Sequence, residues 1–449
     1  MPIRSVRAAA RRFRPVIAAA ALAALGTLAH AGTVTVITSF PKDLTDAYKK
    51  AFEAANPSIK IEVLNKNTTA AIAYIKELPA GQRPDVMWAS APDAFEVLAR
   101  DKLLTAAPEV KNPHTPAKIG SYPINDPNGL YYGQALAGYG MMWNTRYLQA
   151  NKLPVPKEWS DLAKPEYFGH VAISSPSRSG TTHLTVETLL QGEGWDKGWT
   201  QLLEIMGNCA AVSDRSFGVP DGVNSGQFGI GLVIDFFGLS AKYSGFPVEF
   251  AYPSVTAVVP ANIGLVTGGK NADEAKKFIA YTLSAPGQQI LMEPKISRLP
   301  VLPYADLKIP AGYPDIQAVA KRAKVQFDSH LSGARYQVVV SLFDQMVTFR
   351  LKELQAATKA IHDAEKRLKA KPNAQGSELL KQARGYAYSP LVGGDTVKDE
   401  QFLALFRQNR RDVAVSKQLT GQEELWASKA RANYTKATEL ANQAAALAK

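Results

Sequence analysis

Between Thr33 and Arg100 short apolar runs alternate with helix-period segments, and this alternation restricts the chain to parallel strands joined by helices. Thr33 to Ile37, Ile59 to Leu64 and Asp85 to Trp88 read as strands. Helices are predicted over Leu44 to Ala55, Ala70 to Leu78 and Ala94 to Arg100, the first with Tyr48, Ala51, Phe52 and Ala55 on one face.

The same grammar resumes after the glycine-rich stretch Gly133 to Gly140. A strand over Val171 to Ser174, helices over Thr181 to Gln191 and Trp195 to Met206, and a strand over Gly229 to Ile234 predict a second α/β lobe. Val255 to Val266 reads as two strand-like runs broken by Pro260-Ala261-Asn262, followed by a helix over Ala272 to Ser284. The expected organisation is a first lobe over 32–138, a second over 139–257, a return to the first over 258–303, and a helical extension over 304–449. Two strands crossing between the lobes would form a hinge able to close on a ligand. In the extension Leu354, Ala357, Ile361, Ala364 and Leu368 make a short a/d seam. Its brevity points to packing within the chain, hence to a monomer. Thr420-Gly421-Gln422-Glu423 has capping-box spacing and is expected to open the last helix.

Residues 1–31 have the order of an export signal: five arginines without an acid, an apolar run from Val16 to Leu28, then Ala29-His30-Ala31. That run falls short of the roughly 20 residues a membrane span needs. Removing the segment takes the formal charge from +12 to +7 and leaves 418 residues, enough for two or three domains. The single cysteine, Cys209, excludes an internal disulfide and reads as a small buried thiol.

The densest run of polar chemistry is Ser174-Ser175-Pro176-Ser177-Arg178-Ser179-Gly180-Thr181-Thr182-His183, which leaves a strand and enters a helix. Unpaired N–H groups at a helix start favour an anion, and the hydroxyls, Gly180 and Arg178 suit phosphate or carboxylate. Thr38-Ser39-Phe40 and Ala89-Ser90-Ala91-Pro92-Asp93 are polar loops at the carboxyl ends of first-lobe strands, where open α/β sheets bind ligands. Three enzyme readings fail on the residues. Gly264 to Asn271 resembles a phosphate loop but ends in Asn where Ser or Thr must hold magnesium, so it reads as a strand, a turn and a helix. His183 and Glu187 have metal-ligand spacing without a second His nearby. No Gly-x-Ser-x-Gly elbow occurs.

Val34-Thr35-Val36-Ile37-Thr38-Ser39, Arg83-Pro84-Asp85-Val86, Tyr139-Gly140-Met141-Met142-Trp143-Asn144 and Asn271 to Phe278 follow one another in an order that resembles the periplasmic solute-binding proteins of ABC importers. The branch is the one containing ferric-ion, polyamine, thiamine and organophosphate binders, and the resemblance spans about Thr33 to Pro303. It implies a type II periplasmic binding fold and a periplasmic receptor rather than an enzyme, without cofactor or metal. Ferric binders carry an adjacent Tyr pair after the strand matching Gly229 to Ile234, whereas this chain has Asp235-Phe236-Phe237. Phenylalanine offers a hard cation no oxygen, and the Arg178 to His183 loop together with Asp235 is similar to what organophosphate binders of this branch display, which implies a phosphorylated organic anion. The Arg178 loop would hold the phosphate through Ser177, Ser179, Thr181, Thr182 and helix N–H groups. Thr38, Ser39 and Ser90 would close from the other lobe, Asp235 would read hydroxyls, and Phe236 would form an apolar wall. The helical extension is similar to that of phosphoglycerate-transport regulatory proteins, so the partner is expected to be an ABC permease or a membrane sensor, not nucleic acid. Ferric-ion or polyamine receptors, and more remotely a secreted phosphate-ester hydrolase, are the alternatives.

Overall fold

A computed structural model describes residues 32–448, so the expected export signal at 1–31 lies outside the described residues. β1 (Gly32–Thr38), α1 (Lys42–Ala55), β2 (Ile59–Asn65), α2 (Thr68–Glu77), β3 (Val86–Ala89) and α3 (Pro92–Arg100) form the first α/β unit. β1 pairs in parallel with both β2 and β3, and Val34 and Val36 are buried in one core while Ile37 enters another. A parallel sheet covered on both faces produces this apolar run.

The glycine-rich stretch is the middle of a long strand, β4 (Tyr132–Asn144), whose thirteen residues are all buried. β5 (Val171–Ser174), α4 (Gly180–Glu193), α5 (Trp195–Gly207), β6 (Cys209–Ser213), α6 (Gly218–Ser225), β7 (Ile230–Ile234), α7 (Asp235–Tyr243) and β8 (Val248–Ala251) make the second unit. The chain returns through β9 (Val258–Val266), α8 (Ala272–Leu283) and α9 (Ala285–Ile290), and β10 (Leu299–Pro300) adds to β4. The main sheet path runs β2-β1-β3-β9-β4-β7-β5-β6.

β4 and β9 are antiparallel and carry the sheet from one unit to the other. The first part of β4, to Gly138, pairs with β9, and the part from Tyr139 onward pairs with β7. This division marks the crossing point. Asp235 Oδ2 accepts the Gly138 N–H at 2.7 Å, and Thr256 Oγ1 donates to the Tyr139 carbonyl at 2.7 Å. The expected break at Pro260-Ala261-Asn262 is instead a register shift between Ala261 and Asn262 inside one strand. Proline removes a ladder donor, and a bulge beside it lets the strand continue.

The helical extension contributes α10 (Ser329–Ala334), α11 (Tyr336–Phe343), α12 (Leu351–Ala370), α13 (Ala374–Tyr388), α14 (Glu400–Arg407) and α15 (Val413–Leu447). All five seam residues, Leu354 to Leu368, are buried in one core with Trp199, Leu202 and Met206 of α5 and Tyr434, Ala437 and Ala441 of α15. Close docking needs Gly207, where a Cβ would stand 2.0 Å from Thr358 Oγ1. The last helix starts earlier than Thr420: Asp412 caps it by accepting N–H groups from Ala414 and Val415. Leu419 and Trp426 are both buried, so packing carries the helix straight through the Thr420 capping-box sequence. Cys209 is buried, and burial pushes its thiol well up from the ordinary range. The Gly264 to Asn271 segment is the end of β9, a turn and the start of α8, with the Asn271 N–H bonded to Asp85 at 2.8 Å. Among the described residues no helix is long and apolar enough to cross a membrane.

Candidate functional site

β1 ends in Thr38, whose hydroxyl accepts the Phe40 N–H at 3.1 Å and turns the chain into α1. The residue before α1 is Pro41, which has no side-chain acceptor for the first-turn N–H groups. Across from it, β7 ends in Ile234 and delivers Asp235 and Phe236 at the start of α7. Between the two helix starts lies a cavity of about 840 Å³, lined among others by Phe40, Lys42, Phe217, Phe236, Lys295 and Arg298.

Three cations, Lys42, Lys295 and Arg298, and three carboxylates, Asp43, Asp46 and Asp221, line this cavity, and of these charged side chains the buried one is Arg298. It is 2% exposed, and its guanidinium stacks between Phe40 at 4.0 Å and Phe236 at 3.7 Å, one ring from each lobe. Nη1 donates to Ser90 Oγ at 3.0 Å, while the buried Nη2 has no hydrogen-bond partner. Burial lowers its pKa to about 9, against the pull of Asp235. Asp235 is also buried, and burial raises its pKa to about 7 although Gly138, Tyr252 and Phe236 all donate to it.

The sequence-predicted residues divide into two groups. Thr38, Ser90 and Phe236 surround or support Arg298, and Ser39 accepts from Thr68 at 3.3 Å on the first-lobe side. The Arg178 loop abuts the first lobe directly: a Cβ at Gly180 would meet Thr68 Oγ1 at 2.6 Å and Ala91 Cβ at 2.9 Å. Ser179 caps α4 by accepting the Thr182 N–H and bonds Thr181 Oγ1 at 2.8 Å. Ser177 donates to Asp344 of the extension, and Arg178 pairs with the solvent-exposed Asp214 at 3.1 Å. His183 is buried against Asp93, and its helix neighbour Glu187 holds Arg335 through two hydrogen bonds. Arg298 and Lys295 were missed by sequence reasoning. The sequence shows Arg298 only as a lone cation within Ile296 to Leu302, which by itself does not nominate a ligand site.

The protein is similar to the phosphoglycerate transport regulatory protein PgtC of Salmonella typhimurium, at 32% identity over 381 residues, 84% of this chain and 90% of the relative. Residues 82–318 match the family described as bacterial extracellular solute-binding protein. The chain belongs to that family. Within it, this solute-binding protein has the type II periplasmic binding fold. The periplasmic binding protein AfuA from Actinobacillus pleuropneumoniae, solved with fructose-6-phosphate, superposes with a TM-score of 0.64 at 18% identity, covering 71% of this chain and 99% of that one. A ferric binding protein from Campylobacter jejuni gives 0.56 at 14% identity, over 70% and 98%. Both likenesses concern the fold, and this solute-binding protein carries more chain than either.

Proposed function

We propose that this solute-binding protein works in the periplasm, capturing a small phosphorylated organic anion between its lobes and presenting it to an ABC permease. The observation that carries the reading is the interlobe cavity where Phe40, Lys42, Phe236, Lys295 and Arg298 meet at the starts of α1 and α7. Helix starts and cations favour a negative guest, and the aromatic rings give the rest of the molecule an apolar wall. The hydroxyls of Ser39 and Ser90 and the N-terminal turn of α4, with Ser179, Thr181 and Thr182, stand outside the lining of this cavity and would reach the ligand only on a change in how the lobes meet. Two ligands support the class: phosphoglycerate in the name of the Salmonella relative and fructose-6-phosphate in the AfuA structure. The word "regulatory" in the relative's name favours a second partner, a membrane sensor reading the same closed state.

A thermal-shift screen tests the ligand class with phosphate esters, their unphosphorylated parents, polyamines and ferric salts. A phosphate ester at a hundred times its dissociation constant should add about 2.7 kcal/mol of stability and raise the melting temperature. Stabilisation by polyamine or ferric salt alone would sink the phosphate reading. Release of inorganic phosphate from the ester would instead indicate a hydrolase.

A further inference from the structure

We propose that Arg298, not Arg178, is the cationic anchor of the ligand, taking its anionic group between Nη2 and the uncapped first turn of α1. The assignment rests on the reading above and specifies its charge partner. Four observations converge. Arg298 is among the largest fully buried side chains, yet among the described residues its guanidinium makes no ion pair within 4.0 Å. The carboxylate that acts on it, Asp235, lies beyond that distance and is pushed by burial toward its neutral form, so the buried cation keeps a large desolvation cost, which an incoming anion offsets. Its Nη2 is buried without a hydrogen-bond partner, while Nη1 is fixed by Ser90, so the fork is oriented with one arm unused. The guanidinium stands over Phe40, two residues before α1, whose initial N–H groups receive no side-chain cap and whose first residues, Lys42 to Leu44, line the same cavity. Guanidinium donors and helix-start N–H groups together match the several acceptor oxygens of a phosphoryl group.

The alternative anchor is already committed elsewhere. Arg178 pairs with Asp214, and its neighbour Ser177 bonds Asp344 of the helical extension. The stack also couples capture to closure, because Phe40 follows β1 of the first lobe and Phe236 follows β7 of the second. An anion that holds Arg298 in place therefore holds a cation to which both lobes are attached.

The experiment is calorimetry with phosphoglycerate, fructose-6-phosphate and inorganic phosphate as probes on the wild-type chain, Arg298→Met, Pro41→Asp and Arg178→Ala, each first checked by ligand-free melting. Arg298→Met puts an apolar side chain between two rings and should fold, with affinity for the best probe falling at least tenfold. Pro41→Asp places a competing carboxylate at the start of α1 and should weaken the same probe by a similar factor while leaving Arg298 intact. If Arg178→Ala loses the affinity and the other two variants keep it, the anchor is the α4 loop and the assignment is overturned. If the wild-type chain binds none of the probes, the phosphate reading itself fails and takes the anchor with it. Should Arg298→Met fail to fold, Pro41→Asp against Arg178→Ala decides between the two sites.

Discussion

His183 Nδ1 stands 2.6 Å from Asp93 Oδ2, with both side chains wholly buried where α4 of the second lobe meets α3 of the first. The helical extension closes around this contact. Ser332 donates to the same Asp93 oxygen at 2.7 Å, Tyr336 stacks on the imidazole at 3.9 Å, and Arg335 holds Glu187 one turn along α4. α10 and the start of α11 thereby bind both lobes at once.

Replacing His183 with Ala leaves Asp93 with Ser332 and its neighbour's N–H, and removes the ring beneath Tyr336. Leaving a buried hydrogen-bonding group without its partner costs about 1–3 kcal/mol, so the ligand-free protein should melt several degrees lower. Small-angle scattering should also register a larger radius as the lobes part. An unchanged melting temperature and radius would show that this contact does not hold the lobes.

Most of the framework was legible because it is written in local periodicity. β5 begins and ends at the expected residues, Val171 and Ser174, and α5 begins at the expected Trp195. What failed was non-local. The Gly133 to Gly140 stretch, read only as the boundary before the second lobe, lies inside a buried strand where its missing side chains admit neighbours: a Cβ on Gly140 would lie 2.2 Å from the Ala251 carbonyl. Thr420 satisfies the capping pattern, but buried Leu419 and the earlier cap at Asp412 outweigh it. At the candidate site, Ser90 and Phe236 could be nominated from their strand ends. Arg298 could not, since its meaning arises from Phe40 and Phe236, residues 258 and 62 positions earlier in the sequence.

A chain ending at Pro303 would lose α12 and α13, which pack on α5, and α15, which packs on both, and so open the core that holds Trp199, Leu202, Leu203 and Met206. Apolar area is worth about 25 cal/mol per Å² when removed from water, so this loss unbalances the second lobe. The expected outcome is aggregation on expression, read by size-exclusion chromatography. A monodisperse truncated chain with wild-type affinity would show the extension to be an independent unit.

Gly207→Ala tests the same docking with one atom. The new Cβ would fall 2.0 Å from Thr358 Oγ1 and 2.8 Å from its Cβ, so α5 and α12 must separate. Overpacking of this kind costs about 1–3 kcal/mol, although alanine suits a helix better than glycine. Chemical denaturation should show a lower midpoint, and Gly207→Ala combined with Thr358→Ala should recover part of it. Failure of the second substitution to rescue would place the strain elsewhere.

Asp235 makes stability depend on pH with a sign opposite to that of a paired carboxylate. Its pKa is about 7 in the folded chain because burial outweighs three donated hydrogen bonds and the attraction of Arg298. The phenols around it, Tyr139, Tyr252, Tyr304 and Tyr313, are pushed up by burial, so they stay neutral across this range. In the unfolded chain an aspartate releases its proton near pH 4. Between these values the native state holds more protons than the unfolded one, so this group's contribution is full below about pH 4 and is lost as pH rises through about 7. A shift of roughly three pH units corresponds to an order of 4 kcal/mol. Asp235→Asn fixes the neutral form, and any offset from its amide is independent of pH. The stability of the Asn variant relative to wild type, followed by denaturation in the absence of ligand, should therefore improve by about 3–4 kcal/mol between pH 4.5 and pH 8. A difference that stays flat across that interval would mean that Asp235 keeps an ordinary carboxylate pKa, and that Arg298 faces a full negative charge at neutral pH.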